Sequence, residues 1–321
     1  MTSVGGSINL KALRAAFGAR LQERVRMANY TTAHVGGEAD AMLIVNTAEE
    51  MEFTIRSLWD LDAPYYIIGA GSNLLVAESG IRAVVIVNRA RNIKVDAHHE
   101  LPTVWAESGA NLGTIARQVA LRGLSGLEWG ATIPGTLGGA VYGNAGAHGG
   151  DLAGNLVLAE ILHPQWGKVE WTVEQMEYAY RSSVLKRQPG KAVILAARLK
   201  LGQDTPQAVR SRMEEFSTRR RRTQPPGASL GSMFKNPPGD YAGRLIEAAG
   251  LKSVRIGGAE ISPVHANFFI NLGEATAEDI GNLIALAQTT VHDKFGIWLE
   301  LEVELLGDWS RLNIVRSQHG G

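Results

Sequence analysis

The sequence predicts an α+β protein with a larger N-terminal domain followed by a smaller α+β domain. Three observations carry this expectation. Short β-type runs such as Tyr65–Ile68 and Thr103–Glu107 are interspersed irregularly with amphipathic helical stretches, without a regular βα repeat. Two glycine-rich segments lie among apolar runs in the first two-thirds of the chain. A polar helix, Thr205 to Arg222, is stopped by Pro225 and Pro226 and precedes a second set of elements. The expected divisions are an arm over 1–28, the first domain over 29–203 with lobes of about 29–95 and 96–203, the second over 204–307, and a polar tail over 308–321.

In chain order, Leu10 to Leu21 reads as a short amphipathic helix, and paired Gly36 and Gly37 lead into a strand over Ala41–Val45. Thr47 with Glu50 three residues on forms a capping box, and Met51, Ile55 and Leu58 recur at helical spacing, which predicts a helix over Ala48–Leu61. Strands at Tyr65–Ile68 and Ala83–Val87 complete a βαββ unit. Strands at Ile93–Val95 and Thr103–Glu107 precede a helix over Asn111–Leu121. Leu156–Leu162, Lys168–Thr172, Val173–Tyr178 and Ala192–Leu201 add strands and one short helix. In the second domain, Arg244–Ala249 is a helix closed by Gly250, Phe268–Leu272 a strand, and Thr276 and Asp279 cap a helix that Gly296 ends. Beyond it Ile297, Leu299, Leu301, Val303 and Leu305 alternate with Trp298, Glu300, Glu302 and Glu304, a strand with one face inward.

Composition narrows the chemistry. Thirty-two basic and thirty-two acidic residues cancel, so no global field draws in nucleic acid or an anionic membrane. There is no cysteine, which removes disulfides, thiolate nucleophiles, zinc–thiolate sites and iron–sulfur clusters. No apolar run approaches the length of a membrane span, and the expected location is the cytoplasm. His98 and His99 are adjacent, so on a strand they point to opposite faces and do not chelate one ion; no metal is expected. Ser232 has no histidine near it in sequence and GxSxG is absent, so no hydrolytic triad is supported.

The segment from Leu127 to Asp151 holds eight glycines in twenty-five residues. Ordered glycine costs backbone entropy, so this density implies either positive φ or main chain pressed against something large. Pro134 sits at a plausible first helical position. The amides of Gly135 to Gly139 are therefore expected to form an open helix N-terminus facing an anion, most simply a diphosphate, with a tight helix crossing or a turn cluster as the alternative. A second glycine turn follows Tyr65–Ile68, at Gly69, Gly71, Ser72 and Asn73, and offers further backbone donors. It is not a Rossmann fingerprint, because the third glycine position holds Leu74 and no helical segment follows.

GAGSNLLV at 69–76, IPGTLGGAVYGNAGAHGGD at 133–151, YRSSVLK at 180–186 and GSMFKNP at 231–237 together resemble the UDP-N-acetylenolpyruvoylglucosamine reductase family, flavoenzymes of peptidoglycan precursor synthesis. The resemblance spans about residues 29–307. It implies a two-lobed FAD-binding domain of the vanillyl-alcohol-oxidase and p-cresol-methylhydroxylase type with a C-terminal α+β substrate-binding domain. It also implies FAD and NADPH as cofactors, and reduction of UDP-N-acetylglucosamine enolpyruvate to UDP-N-acetylmuramate. No nucleic acid, membrane or obligate protein partner is implied.

Carried onto this sequence, the resemblance assigns FAD binding to Gly69, Ala70, Gly71, Ser72, Asn73 and Leu74, and to Ile133, Pro134, Gly135, Thr136, Gly138, Gly139, Asn144, Ala145 and Gly146. It makes Arg181 the electrostatic partner of the substrate carboxylate, Ser232 the proton donor to carbon, and Glu302 the carboxyl that holds or shares the protonated arrangement. Tyr180, Lys235, Asn236 and His265 are expected to bind substrate. Two departures stand out. Val264 occupies the place before His265 where the family usually has lysine, and Arg187 to Ala192 runs straight into the next strand without the extra tyrosine loop of the longer family type. Arg219 to Arg222 either complement the end of their helix dipole or bind the substrate diphosphate. The alternatives are another FAD-dependent oxidase or dehydrogenase on the same domain, with His34 and His148 left open for covalent flavin attachment, and a nucleotide-sugar-binding protein without turnover.

Overall fold

A computed structural model describes residues 8–97 and 101–315; His98 and His99 lie outside the described residues. The chain divides into two compact units that interleave along the sequence. The first comprises Met1–Gln22, Ala41–Gly69 and Ala83–Arg220, the second Glu23–Asp40, Ala70–Arg82 and Arg221–Gly321. The linear divisions expected from sequence keep Glu23–Asp40 and Ala70–Arg82 apart from residues 221–321, whereas the contacts group them together.

The first unit is built on a five-stranded antiparallel sheet in the order Gly167–Trp171, Leu156–His163, Val193–Lys200, Thr103–Glu107, Ile93–Asp96. Its central strand is buried along Val193–Ala197 because both faces are covered. Ile194, Ala197 and Leu199 join Leu112, Ile115 and Val119 of the helix Leu112–Ala120 in one core. Val193 and Leu195 join Met51, Ile55 and Leu58 of the helix Ala48–Asp60 in another. A helix of that length is marginal alone in water. Full burial of those three side chains, at about 1.5–3 kcal/mol each, is what fixes it. Tyr65–Ile68 pairs in parallel with Val84–Val87, and the connection between them is a turn and the short strand Leu74–Val76 with no helix.

The local signals carry over with instructive shifts. The first helix stops at Phe17, short of the expected Leu21, because Gly18 takes φ +54°. Thr47 accepts from the Glu50 amide at 3.1 Å, but the Glu50 carboxylate reaches back to the Asn46 amide at 2.8 Å, so the reciprocal half of the box is displaced by one residue. The polar helix spans Pro206–Thr223, and its portion through Arg220 packs in the first unit. There Arg212 donates to Glu128 at 2.7 Å, and Phe216 stacks on His148 with centroids 4.2 Å apart.

The second unit gathers around the helix Ala277–Phe295, whose Ile280, Leu283, Ile284, Ala287 and Val291 are buried. Thr276 and Asp279 cap it reciprocally and Gly296 ends it at φ +69°, as expected. Arg255–Ile256, Ala259–Ile261 and Phe269–Asn271 form a small sheet, and Leu74–Val76 pairs in parallel with Glu304–Leu306. The expected strand from Ile297 is therefore regular only at its end. Upstream, Glu300 and Glu302 bond to Lys235 and Met233, and the buried set runs Leu299, Leu301, Val303 and then Leu306, with Leu305 only half-buried. Among the described residues, no helix is long and apolar enough to cross a membrane, and no group of three or more His, Asp or Glu is placed to hold a metal ion.

Glycines of the 127–151 segment differ sharply in what surrounds them. A Cβ on Gly150 would lie 2.4 Å from the Trp129 ring, whereas one on Gly143 would meet nothing within 4 Å. Gly150→Ala is expected to destabilise by about 1–3 kcal/mol through overpacking, and Gly143→Ala to be neutral or to stabilise by roughly 0.5 kcal/mol. Paired denaturant titrations of the two variants check this.

Candidate active site

In the first unit, Thr136 caps the helix Leu137–Gly143. The open N-terminus expected from sequence is not there. Leu137 donates its amide to Ala110, Gly138 to Ser108 and Gly139 to Thr136 Oγ1. The donors lie one step earlier: among the described residues the Gly135 and Thr136 amides have no protein acceptor. Thr136 Oγ1 already accepts from Gly139, so its own proton is free to point outward. Thr132 Oγ1 is buried without a partner just upstream. Two amides and two hydroxyls at one turn suit the oxygens of a diphosphate. The other glycine segment reaches the same place. A Cβ on Gly69 would lie 2.5 Å from Thr136 Oγ1, so Thr136 fits only because residue 69 has no side chain.

Downstream, Gly146–Ala147 and Gly150–Asp151 form a tight hairpin whose central residues His148 and Gly149 have φ +53° and +83°, the signature of a type I′ turn. Asn144 is buried in the left-handed region, and its side chain is bound at both ends, donating to Ala179 at 3.1 Å and accepting from Ala153 at 3.0 Å. Its side-chain amide thus braces the turn Ala179–Ser182, in which Ala179 and Ser182 exchange both backbone bonds at 3.1 Å. Tyr180 and Arg181 are the two residues at its tip. Arg181 holds φ +54°, a conformation that costs a non-glycine residue about 1 kcal/mol or more. Its guanidinium donates to Gly146 at 2.9 Å and lies over the Tyr180 ring. Nearby, the buried Tyr178 hydroxyl has no partner; burial first, and Asp151 second, push its pKa up, so it stays a neutral donor.

In the second unit, the turn Ala70–Leu74 is held against the loop Tyr30–Val35. A Cβ on Gly71 (φ +65°) would lie 1.9 Å from the Tyr30 carbonyl oxygen. Asn73 donates its side-chain amide to the Glu302 carbonyl at 3.0 Å, and Glu304 donates its backbone amide to the Asn73 carbonyl at 2.9 Å. Glu302 in turn donates its amide to Met233 at 2.9 Å, so the half-buried Ser232 and Glu302 ride on neighbouring extended segments. Asn267 is buried and grips Phe234 from both sides, accepting from its amide at 2.9 Å and donating to its carbonyl at 2.8 Å.

Lys235, with its side chain largely buried, is ion-paired to Glu300. Asn236 caps the helix Ala242–Ala248 through the Ala242 amide at 3.1 Å. His265 accepts at Nδ1 from the Asn267 amide at 3.2 Å, which leaves the proton on Nε2, and burial holds its pKa below the usual histidine range. Val264 is half exposed to solvent and brings no charge to that position. The first unit thus collects Gly69, Ile133–Thr136, Gly138, Gly139, Asn144–Gly146, Tyr180 and Arg181. The second collects Ala70–Leu74, Ser232, Lys235, Asn236, His265 and Glu302. Thr132 and Thr32, the latter bonded to the Ser232 loop, were not singled out from sequence; isolated threonines carry no spacing signal.

An FAD-binding oxidoreductase is the class that this fold and its glycine-lined turns define: a sequence profile of the FAD binding domain matches residues 39–165. A profile of the C-terminal domain of UDP-N-acetylenolpyruvoylglucosamine reductase matches residues 223–306. The chain is 42% identical over 285 residues to the UDP-N-acetylenolpyruvoylglucosamine reductase of Chloroflexus aggregans, covering 87% of this chain and 95% of the relative. It is likewise 42% identical to that of Bacillus subtilis, covering 88% and 92%. The crystal structure of UDP-N-acetylenolpyruvylglucosamine reductase from Thermus caldophilus superposes with a TM-score of 0.76 at 36% identity, covering 89% of this chain and 100% of that one. This chain belongs to the UDP-N-acetylenolpyruvoylglucosamine reductase family.

Two outcomes follow from these geometries. Arg181→Gly removes the φ cost but also the bond to Gly146, effects of about 1 kcal/mol each; thermal stability should change by only a few degrees, which melting curves check. Burial lowers the pKa of His148, His163 and His265 alike. Below about pH 6.5 the unfolded chain then binds more protons than the folded one, so stability falls as pH drops through that window. Melting curves between pH 7.5 and 5.5 should show this, and His265→Gln should flatten the slope.

Proposed function

We propose that Arg181, Ser232 and Glu302 are the catalytic side chains of an NADPH-dependent reduction of UDP-N-acetylglucosamine enolpyruvate to UDP-N-acetylmuramate. The chemistry that FAD supplies when bound is hydride transfer from NADPH to the terminal vinyl carbon, which no side chain provides. Residues of the turns Gly69–Leu74 and Ile133–Thr136, with Gly138, Gly139 and Asn144–Gly146, hold it, mainly through main chain.

Hydride arrival leaves negative charge on an enolate conjugated with the substrate carboxylate. A fixed cation aimed there in advance is worth more than one that must reorganise. Arg181 has that character, because its strained backbone and its bond to the Gly146 carbonyl set its direction before substrate arrives. Glu302 holds or shares a proton beside the same carboxylate. Ser232 completes the addition: its O–H bond breaks as a C–H bond forms at the adjacent carbon, and a relay returns a proton to the serine. A hydroxyl is a weak acid, so this step needs the strongly basic enolate. Tyr180, Lys235, Asn236 and His265 bind substrate, His265 as a neutral Nε2–H donor.

The observation that carries the reading is the 2.9 Å bond from the Glu302 amide to the Met233 carbonyl, which ties the proposed carboxyl to the segment of the proposed proton donor. The protein is read as cytoplasmic, acting on small molecules without a membrane, nucleic-acid or obligate protein partner.

The purified protein should be yellow and should oxidise NADPH only when the enolpyruvyl nucleotide sugar is present. Oxygen consumption without NADPH would instead indicate an oxidase. In stopped-flow absorbance, Ser232→Ala should leave flavin reduction by NADPH near wild type while slowing reoxidation by substrate by about 10²-fold or more. Equal loss in both half-reactions would remove Ser232 from the donor role.

A further inference from the structure

We infer that Thr32 is a positioning residue for the protonation step, tying the loop that carries Ser232 to the Gly71 turn. The inference rests on the donor role proposed for Ser232. Thr32 lies in a loop that is itself pinned. Thr31 Oγ1 donates to the Val35 carbonyl at 2.9 Å, and Asn271 donates its side-chain amide to the Ala33 carbonyl at 2.8 Å. From that fixed base the Thr32 amide donates to the Gly71 carbonyl at 3.1 Å, and its hydroxyl donates to the Ser229 carbonyl at 2.6 Å. The hydroxyl also comes within 3.5 Å of the Gly71 carbonyl, but at that length its single proton belongs to Ser229.

The tether matters because of where the chain would otherwise bend. Downstream of Ser232, Met233 donates its amide to Asn267 at 2.8 Å and Phe234 is gripped on both sides by the Asn267 side chain, so that end is rigid. Upstream, Gly227 and Gly231 sit at φ +110° and +76°, and a Cβ on Gly231 would meet nothing within 4 Å. Asn271 holds Ala228 by a 2.9 Å backbone bond, and the Thr32 hydroxyl holds the next residue. The buried Leu230 and the backbone pairing of Ser232 with Phe268 also hold this segment, and Thr32 adds the side-chain hydrogen bond that ties its upstream end to a neighbouring loop. A displacement of one ångström at a proton donor is enough to cost rate heavily. The same residue contacts the Gly71 turn, so the placement of Ser232 is referenced to the turn proposed to hold FAD.

The test uses FAD-loaded enzyme with Thr32→Val, which keeps the shape and removes the donor, and Thr32→Ser, which keeps the hydroxyl. Stopped-flow absorbance follows reduction by NADPH and reoxidation by the enolpyruvyl nucleotide sugar separately, in H2O and D2O. Thr32→Val should slow reoxidation by about tenfold or more, with a larger solvent isotope effect, and leave reduction within about twofold of wild type. Thr32→Ser should restore wild-type reoxidation. Wild-type reoxidation in Thr32→Val, equal slowing of both half-reactions, or a Thr32→Ser as slow as Thr32→Val would overturn the inference. Thr32→Ala replaces the valine variant if the latter loses its flavin. Ser232→Ala, run alongside, separates the two layers: if it is selective for reoxidation and Thr32→Val is not, the tether fails while the donor stands. If Ser232→Ala is itself unselective, the donor role fails and the tether with it.

Discussion

In the second unit the Gly71 turn presses on the Tyr30 carbonyl so closely that even a methyl group would lie 1.9 Å from oxygen, as tight as the approach of Gly80 to the Glu38 carbonyl. Contact at that distance requires both a residue without a side chain and a positive φ, and Gly71 supplies both. Much of the unit's architecture is referenced to this contact. Thr32, two residues from Tyr30, reaches the Ser229 loop, and Asn73, two residues from Gly71, reaches the Glu302 segment. The turn is thus a structural hub, and a substitution in it would disturb the segments it organises even where no ligand is touched.

The first unit solves a parallel problem with different parts. Thr136 fits against Gly69 only because glycine stands there, and it caps the helix behind it, so one threonine serves both packing and capping. Asn144 then transmits the position of that helix to the turn of Tyr180 and Arg181 through its contact with Ala179. The strain at Arg181 persists because the bonds around it are numerous enough to hold it. Local strain of this kind collects where direction matters more than stability.

The sequence made the periodic elements legible because their signals are local. The cap pair Thr276 and Asp279, the stop at Gly296 and the stripe Met51, Ile55 and Leu58 each declare themselves within a few residues. The density of glycine between Leu127 and Asp151 was legible as a demand for bare main chain, but not which partner made the demand. Gly138 faces Ser108 and Gly150 faces Trp129, both protein, and only the three-dimensional pairing reveals that. The first-turn amides read as open for the same reason: their acceptors, Ala110 and Ser108, lie some thirty residues upstream and leave no trace in the local pattern. The strand from Ile297 lost its first half because its alternation records burial, whereas regular pairing needs a neighbour. Phe234 and Lys235 supply only isolated bonds there.

The departure at Val264 shifts the electrostatic burden within the second unit. Val264 is half exposed and carries no charge, and His265 beside it is held neutral by burial and by the bond its Nδ1 accepts. Lys252, ion-paired with Glu247, is the cation close enough to act on His265. Lys235 offers a charge, but it is paired with Glu300, whose carboxylate remains about half exposed and able to turn toward water. Were Lys235 to take up an anion as proposed, it would exchange one anion for another, and the half-exposed Glu300 would be released to water instead of stranded. Such an exchange avoids burying an unpaired charge in either state, the outcome that makes partly buried ion pairs costly to break.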